Sequence, residues 1–155
     1  MTQDIRLSPA HPEDAPAMAA VQNAIFQAGL RRVPVDAALM RERYLARPGR
    51  IVCTLAGRGG EVLGFQALSL ALPDNEYGVS PGRGVIGTHI RPDAGRAGIG
   101  RQLFAETRQA ALAAGLVHID AMIGADNLPG LAYYRAMGFV PYREGTDTIS
   151  HRYDL

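Results

Sequence analysis

The chain has 155 residues, of which 47% are hydrophobic and 20% charged, the balance of an ordinary globular domain with a core of its own. With 16 basic against 15 acidic residues the formal net charge is +1, so no strong field draws the chain toward nucleic acid or an anionic membrane. No stretch approaches the ~20 apolar residues of a membrane-spanning helix, and the opening segment Met1–Asp14 lacks the apolar core of a secretory signal. The single cysteine, Cys53, cannot form an internal disulfide, so a reducing cytoplasm is the expected home.

The first strand is expected at Ile5-Arg6-Leu7, followed by a turn-rich segment through Asp14. Strong helix formers run from Ala15 to about Ala28, with Met18, Val21, Ile25 and Phe26 near helical spacing and Gly29 as C-cap. A second helix is expected from an Asp36 N-cap to about Ala46, ended by Pro48-Gly49. The apolar runs Ile51–Ala56 and Glu61–Ala71 flank Gly57-Arg58-Gly59-Gly60, a hairpin signal. Cys53 lies in the first of these runs and reads as a small core residue. After an irregular segment, Leu72–Gly84, a strand at Val85–Ile90 precedes a glycine-rich loop, Asp93–Gly100. A long helix, Arg101–Ala114, follows directly. A strand at Leu116–Ile123, a helix at Leu128–Met137 and strands at Phe139–Tyr142 and Thr148–Tyr153 complete the chain. The order β-α-α-β-β-β-loop-α-β-α-β-β predicts one α/β domain over residues 1–155 with a mixed sheet.

Strand, glycine-rich loop and helix in succession are the ingredients of an anion site. A helix N-terminus offers unpaired N–H groups and a partial positive charge, and glycines let a phosphate approach them. The same pattern also serves plain tight turns. It is not a P-loop, because no Lys-Ser/Thr follows the last glycine, and the spacing Gly95-x-x-Gly98-x-Gly100 is not that of a dinucleotide fingerprint. The His, Cys and carboxylate spacings match no metal site.

The segment Gly95-Arg96-Ala97-Gly98-Ile99-Gly100-Arg101 resembles the Gln/Arg-x-x-Gly-x-Gly/Ala motif of the GNAT (Gcn5-related N-acetyltransferase) superfamily. Downstream, Asn127-Leu128-Pro129-Gly130-Leu131-Ala132-Tyr133-Tyr134-Arg135-Ala136-Met137-Gly138-Phe139 resembles that family's Asn…Tyr…Gly-Phe signature, in the right order and separation. The resemblance implies a mostly antiparallel sheet of roughly six or seven strands flanked by about four helices and splayed between the fourth and fifth strands. It implies acetyl-CoA as acyl donor, a small-molecule amine or a protein amino group as acceptor, and no metal. Homodimers are common in the family, but no feature of the sequence sets the oligomeric state.

Residue by residue, the resemblance implies that backbone groups near Thr88, His89 and Ile90 pair with the pantetheine arm as an added strand would. Amides of Gly95, Arg96, Ala97, Gly98, Ile99, Gly100 and Arg101 would hold the pyrophosphate, and Asn127 would hydrogen-bond the cofactor. Tyr134 would protonate the departing thiolate, and a strand amide near Ile90 would stabilise the oxyanion. Gly95 departs from the family's Gln/Arg, which removes a side-chain contact and leaves the backbone ones. Read without the family, Tyr134 is a core aromatic and Asn127 an N-cap. His89 is a candidate general base on its ordinary titration range, its face depending on whether the strand is bulged. Asp120 is a substitute base, since the family's glutamate near Met122 is missing. Glu76, Tyr77 and the arginines at 31, 32, 41 and 43 are candidates for shaping the acceptor entrance, with solvated loops and helix faces as the plainer reading. A non-catalytic acyl-CoA-binding module of the same fold is the alternative function.

Overall fold

Seven segments take up extended structure in the computed structural model, which describes residues 4–94 and 98–155. They are β1 (Arg6–Pro9), β2 (Arg50–Arg58), β3 (Glu61–Leu70), β4 (Gly84–Ile90), β5 (His118–Gly124), β6 (Val140–Glu144) and β7 (Thr148–Asp154). Four α-helices separate them: α1 (Ala15–Gln27), α2 (Ala37–Met40), α3 (Ile99–Ala113) and α4 (Leu128–Met137). The strands form one sheet in the order β1-β2-β3-β4-β5-β7-β6. Every neighbouring pair is antiparallel except β4 and β5, which run parallel. The element order expected from the sequence is therefore the observed one.

The central strands are continuous apolar runs because helices cover both their faces. Cys53, Leu55, Phe65 and Ala67 point to one face and pack with Met18 and Val21 of α1 and Met40 of α2. On the other face Leu68, Ile86, Ile119 and Ala121 pack with Phe104 of α3 and Tyr134 of α4. Cys53 is buried as expected, and burial pushes its thiol up to about 11, which makes it a core residue rather than a nucleophile. Register between β3 and β4 runs without a bulge, pairing Phe65 with His89 and Gln66 with Thr88. Side chains alternate along a strand, so His89 lies on the α1 face and Thr88 on the α3 and α4 face.

The second helix departs from expectation. Asp36 caps it, accepting from the Leu39 N–H at 2.9 Å, but the α-helix ends at Met40. Arg41–Leu45 form a π turn, closed by the Ala46 N–H donating to the Arg41 carbonyl at 2.7 Å. The wider turn changes the direction in which Tyr44 leaves the backbone, and single π turns of this kind concentrate at functional sites. Arg50 stabilises the turn's end by donating to the carbonyls of Leu45 and Ala10 at 2.9 and 3.0 Å.

The connection between α1 and α2 is tied down by one side chain. Asn23 donates to the Val35 carbonyl at 3.0 Å and accepts from its N–H at 2.8 Å, closing the loop that carries Leu30 and Arg31. Replacing Asn23 by Ala leaves both backbone groups of Val35 unpaired in a partly buried position. We expect a loss of about 2 kcal/mol in urea unfolding, and faster amide exchange confined to residues 28–36.

Candidate active site

A sheet whose strands part leaves backbone groups that must find another partner. Strands β4 and β5 pair only at Gly84 with Ile119 and at Val85 with Asp120. At Gly84 a Cβ would stand 2.9 Å from methyl carbons of Leu68 and Leu116, so the glycine leaves room for both side chains beside the pairing. Beyond Val85 the strands splay, while β5 stays paired with β7 along its whole length. The Arg91 N–H donates to Leu63 and the Ala71 N–H to Arg83. The odd-numbered residues of β4 thus bond to β3, and Ile86, Thr88 and Ile90 turn their N–H and C=O groups into the gap. A cavity of about 560 Å³ fills the gap, walled by β4 on one side and by Met122, Asn127 and Tyr134 on the other.

A buried polar network backs this cavity on the α3 and α4 face. The Tyr134 hydroxyl is 2.8 Å from Thr88 Oγ1. Gln66 Nε2 donates to Thr88 Oγ1 at 2.8 Å and to the Tyr133 hydroxyl at 3.0 Å. Thr107 on α3 donates to Gln66 Oε1, and Tyr133 donates to the Gly100 carbonyl at 2.8 Å. Gly100 makes that contact possible, because a Cβ there would overlap the Tyr133 ring. Burial raises the pKa of both phenols, Tyr133 to about 12 and Tyr134 further, against the opposing hydrogen bonds from Gln66 and Thr88. Both are protonated at physiological pH. Gln66, Thr107 and Tyr133 were not singled out by sequence. A glutamine within the apolar run Glu61–Ala71 was the one available signal for this network.

The first turn of α3 faces outward without a side-chain cap. Its N-cap, Gly98, is exposed at φ 75°, a left-handed conformation that favours glycine. A helix N-terminus of this kind offers backbone N–H groups and a partial positive charge to an anion. Ile99 is buried in the core, Gly100 contacts Tyr133, and Arg101 is exposed. Gly95, Arg96 and Ala97 lie outside the described residues. Asn127 caps α4, its Oδ1 accepting from the Gly130 N–H at 3.1 Å, and also lines the cavity.

On the α1 face the cavity meets a second of about 180 Å³, and His89 borders both. Gln22 Nε2 donates to the Tyr44 hydroxyl at 3.0 Å, and Tyr44 lies 3.1 Å from His89 Nε2. The Tyr44 hydroxyl thus links Gln22 to His89, the donor of the second bond depending on the imidazole tautomer. Burial, then Arg31 and Arg43, hold the His89 pKa down at about 3. Asp120 is fully buried, held by the Tyr142 hydroxyl and 4.0 Å from Arg83, and borders neither cavity. His118 pairs with Asp154 at 2.7 Å. Tyr77 lines the smaller cavity beneath the Arg47 guanidinium, which Glu76 holds at 3.0 Å. Of the arginines considered, Arg31 and Arg43 reach cavity walls, whereas Arg32 lies 3.9 Å from Asp126 and Arg41 contacts the Pro12 carbonyl. Tyr44 was missed because its position depends on the π turn.

His89 predicts a pH effect whose sign is fixed. The unfolded chain binds a proton at this ring near ~6.5 and the folded chain only near about 3. Between these values unfolding takes up a proton, so stability falls as pH falls, by up to about 1.4 kcal/mol per pH unit. Urea unfolding should show a shallower acid decline in His89→Gln than in the wild type. Equal slopes would mean that the ring titrates normally.

The described His, Cys, Asp and Glu side chains form no group of three or more that could hold a metal ion. No described helix is long and apolar enough to cross a membrane. The family model described as "Acetyltransferase (GNAT) family" matches residues 16–139. No curated protein matches the chain. Among solved structures, yncA from Salmonella typhimurium with its cofactor acetyl-CoA superposes with a TM-score of 0.78 at 16% identity, covering 97% of this chain and 94% of that one. The PaiA N-acetyltransferase from Thermoplasma acidophilum in complex with coenzyme A gives 0.77 at 15% identity, over 98% and 99% of the two chains. An acetyltransferase from Thermus thermophilus gives 0.76 at 24% identity, over 100% of both. The match to the family model over most of the chain, on a sheet parted between β4 and β5, makes this protein a member of the GNAT acetyltransferase family.

Proposed function

We propose that residues 1–155 act as one domain that transfers an acetyl group from acetyl-CoA to a primary amine. The observation that carries this reading is the Tyr134 phenol, protonated and buried, placed on Thr88 at the edge of an open parallel-strand gap. The two neighbours solved with acetyl-CoA or coenzyme A lend support to the choice of cofactor. In this reading the inward backbone groups of Thr88 and Ile90 pair with the pantetheine amides. The loop through Gly98 and the first turn of α3 take the pyrophosphate, and Asn127 spends its free amide N–H on the cofactor.

The amine nitrogen attacks the thioester carbon, and the Ile90 N–H stabilises the oxyanion. The C–S bond breaks, and the leaving sulfur takes the proton of Tyr134. The nitrogen loses its extra proton through water, which also restores the phenol. His89 is a poor proton acceptor at a pKa near 3, so it serves as a hydrogen-bonding wall of the acceptor side and not as the base.

Tyr134→Phe should lower kcat by roughly 10²-fold or more while leaving the dissociation constant for CoA within a few-fold. Undiminished turnover in that variant would remove Tyr134 from the mechanism.

Acetyl-CoA at ~100 times its dissociation constant should stabilise the fold by about 2.7 kcal/mol, a rise of a few degrees in Tm. Gly98→Ala and Gly98→Glu carry the same left-handed strain, but only the second places a carboxylate at the α3 N-terminus. The Tm rise should survive in the first and vanish in the second. Binding without thiol release for any amine would instead favour the non-catalytic acyl-CoA module.

A further inference from the structure

Two guanidinium groups at the mouth of the cavities have no carboxylate within ion-pair distance among the described residues. Arg31 borders the larger cavity, on the loop that Asn23 ties down. Arg43 lies in the π turn and borders the smaller one. Their sequence neighbours differ: Arg32 approaches Asp126 and Arg47 is held by Glu76. Arg31 Nε is buried with no hydrogen-bond partner. Burial first, and then the neighbouring Arg43, disfavour the charge on Arg31; burial first, and then both arginines, disfavour a charge on His89, which borders both cavities. Arg43 is exposed, but Arg31 is partly buried, and a partly buried, unpaired cation beside a like charge is costly in a way that a bound anion relieves. The guanidinium fork also suits a planar carboxylate. The smaller cavity also holds Ser69 and Arg47, the latter paired with Glu76, while Ala67, Tyr77 and Met122 give it apolar surface for a side chain.

We propose that Arg31 and Arg43 bind the carboxylate of the acceptor, and that the acceptor is an α-amino acid with an apolar side chain. The proposal rests on the acetyl-transfer reading and names the substrate class of that site. With its carboxylate between the two arginines, the amino acid turns its side chain toward Tyr77 and Met122. Its nitrogen then faces the gap between β4 and β5. The same two charges repel polyamines.

The test compares L-methionine and L-phenylalanine with their carboxamides and with spermidine. Acetyl-CoA-dependent thiol release is measured beside calorimetric binding of each to the enzyme–CoA complex. The expected result is at least a tenfold preference in kcat/KM for acid over carboxamide, about 1.4 kcal/mol. Arg31→Met and Arg43→Met should each erase that preference and leave CoA affinity unchanged. Carboxamides or spermidine turned over as well as the acids overturn the proposal and leave acetyl transfer standing. Weakened CoA binding in the variants also overturns it, because the arginines then serve the cofactor's phosphates. Acids that bind through both arginines without thiol release support the anion site while sinking the acetyl-transfer reading. Acids that neither bind nor react overturn the proposal.

Discussion

The parting of β4 from β5 is the constraint on which the rest of the molecule depends. Two parallel strands that pair at only two positions forfeit ladder hydrogen bonds along the remainder of their length. The loss is tolerable because each strand is secured on its other side, β4 by β3 and β5 by β7. The gap is thus a rigid slot with polar edges, not a frayed sheet. An extended ligand carrying amides can restore the missing ladder, which is the physical reason a pantetheine arm suits it. Gly84 lies at one of the two paired positions, where the absence of a side chain leaves room for the methyl groups of Leu68 and Leu116.

Alternation along β4 divides the chemistry between two faces. Thr88 faces the buried network of Gln66, Thr107, Tyr133 and Tyr134. His89 faces Tyr44, Phe65 and the arginines. Polar groups this deep are costly unless paired, and Gln66 satisfies them by donating to two hydroxyls and accepting from a third. The network also joins α4 to the first turn of α3 through Tyr133 and Gly100. In the proposed mechanism the phosphate end and the thioester end of the cofactor are thereby positioned by one connected set of side chains.

The order of elements along the chain and the helix within the Asn127-to-Phe139 segment were legible because each is a local pattern. Periodicity marked the helices. The face of His89 was not legible, because it depends on β3 and β4 pairing without a bulge. Nor was the fate of Asp120, whose partner Tyr142 comes from β6. Gln66 reads as one polar residue in a strand until Thr88, Thr107 and Tyr133 converge on it from three other elements. Such groups are set by tertiary register, which a single sequence carries only indirectly.

The π turn shows how much of the site rests on a local departure from regular structure. A continued α-helix through residues 41–45 would rotate Arg43 and Tyr44 away from their present directions. The wider turn forgoes regular helical bonds, and its offsets are specific: Arg50 takes the carbonyl of Leu45, Leu45 is buried in the core, and the Tyr44 hydroxyl engages Gln22 and His89. Three separate elements therefore hold one irregular turn in place. Propensity alone would favour the straight helix that the sequence suggests. The bonds of Tyr44 to Gln22 and His89 hold the wider turn instead, and with it Arg43 beside the smaller cavity.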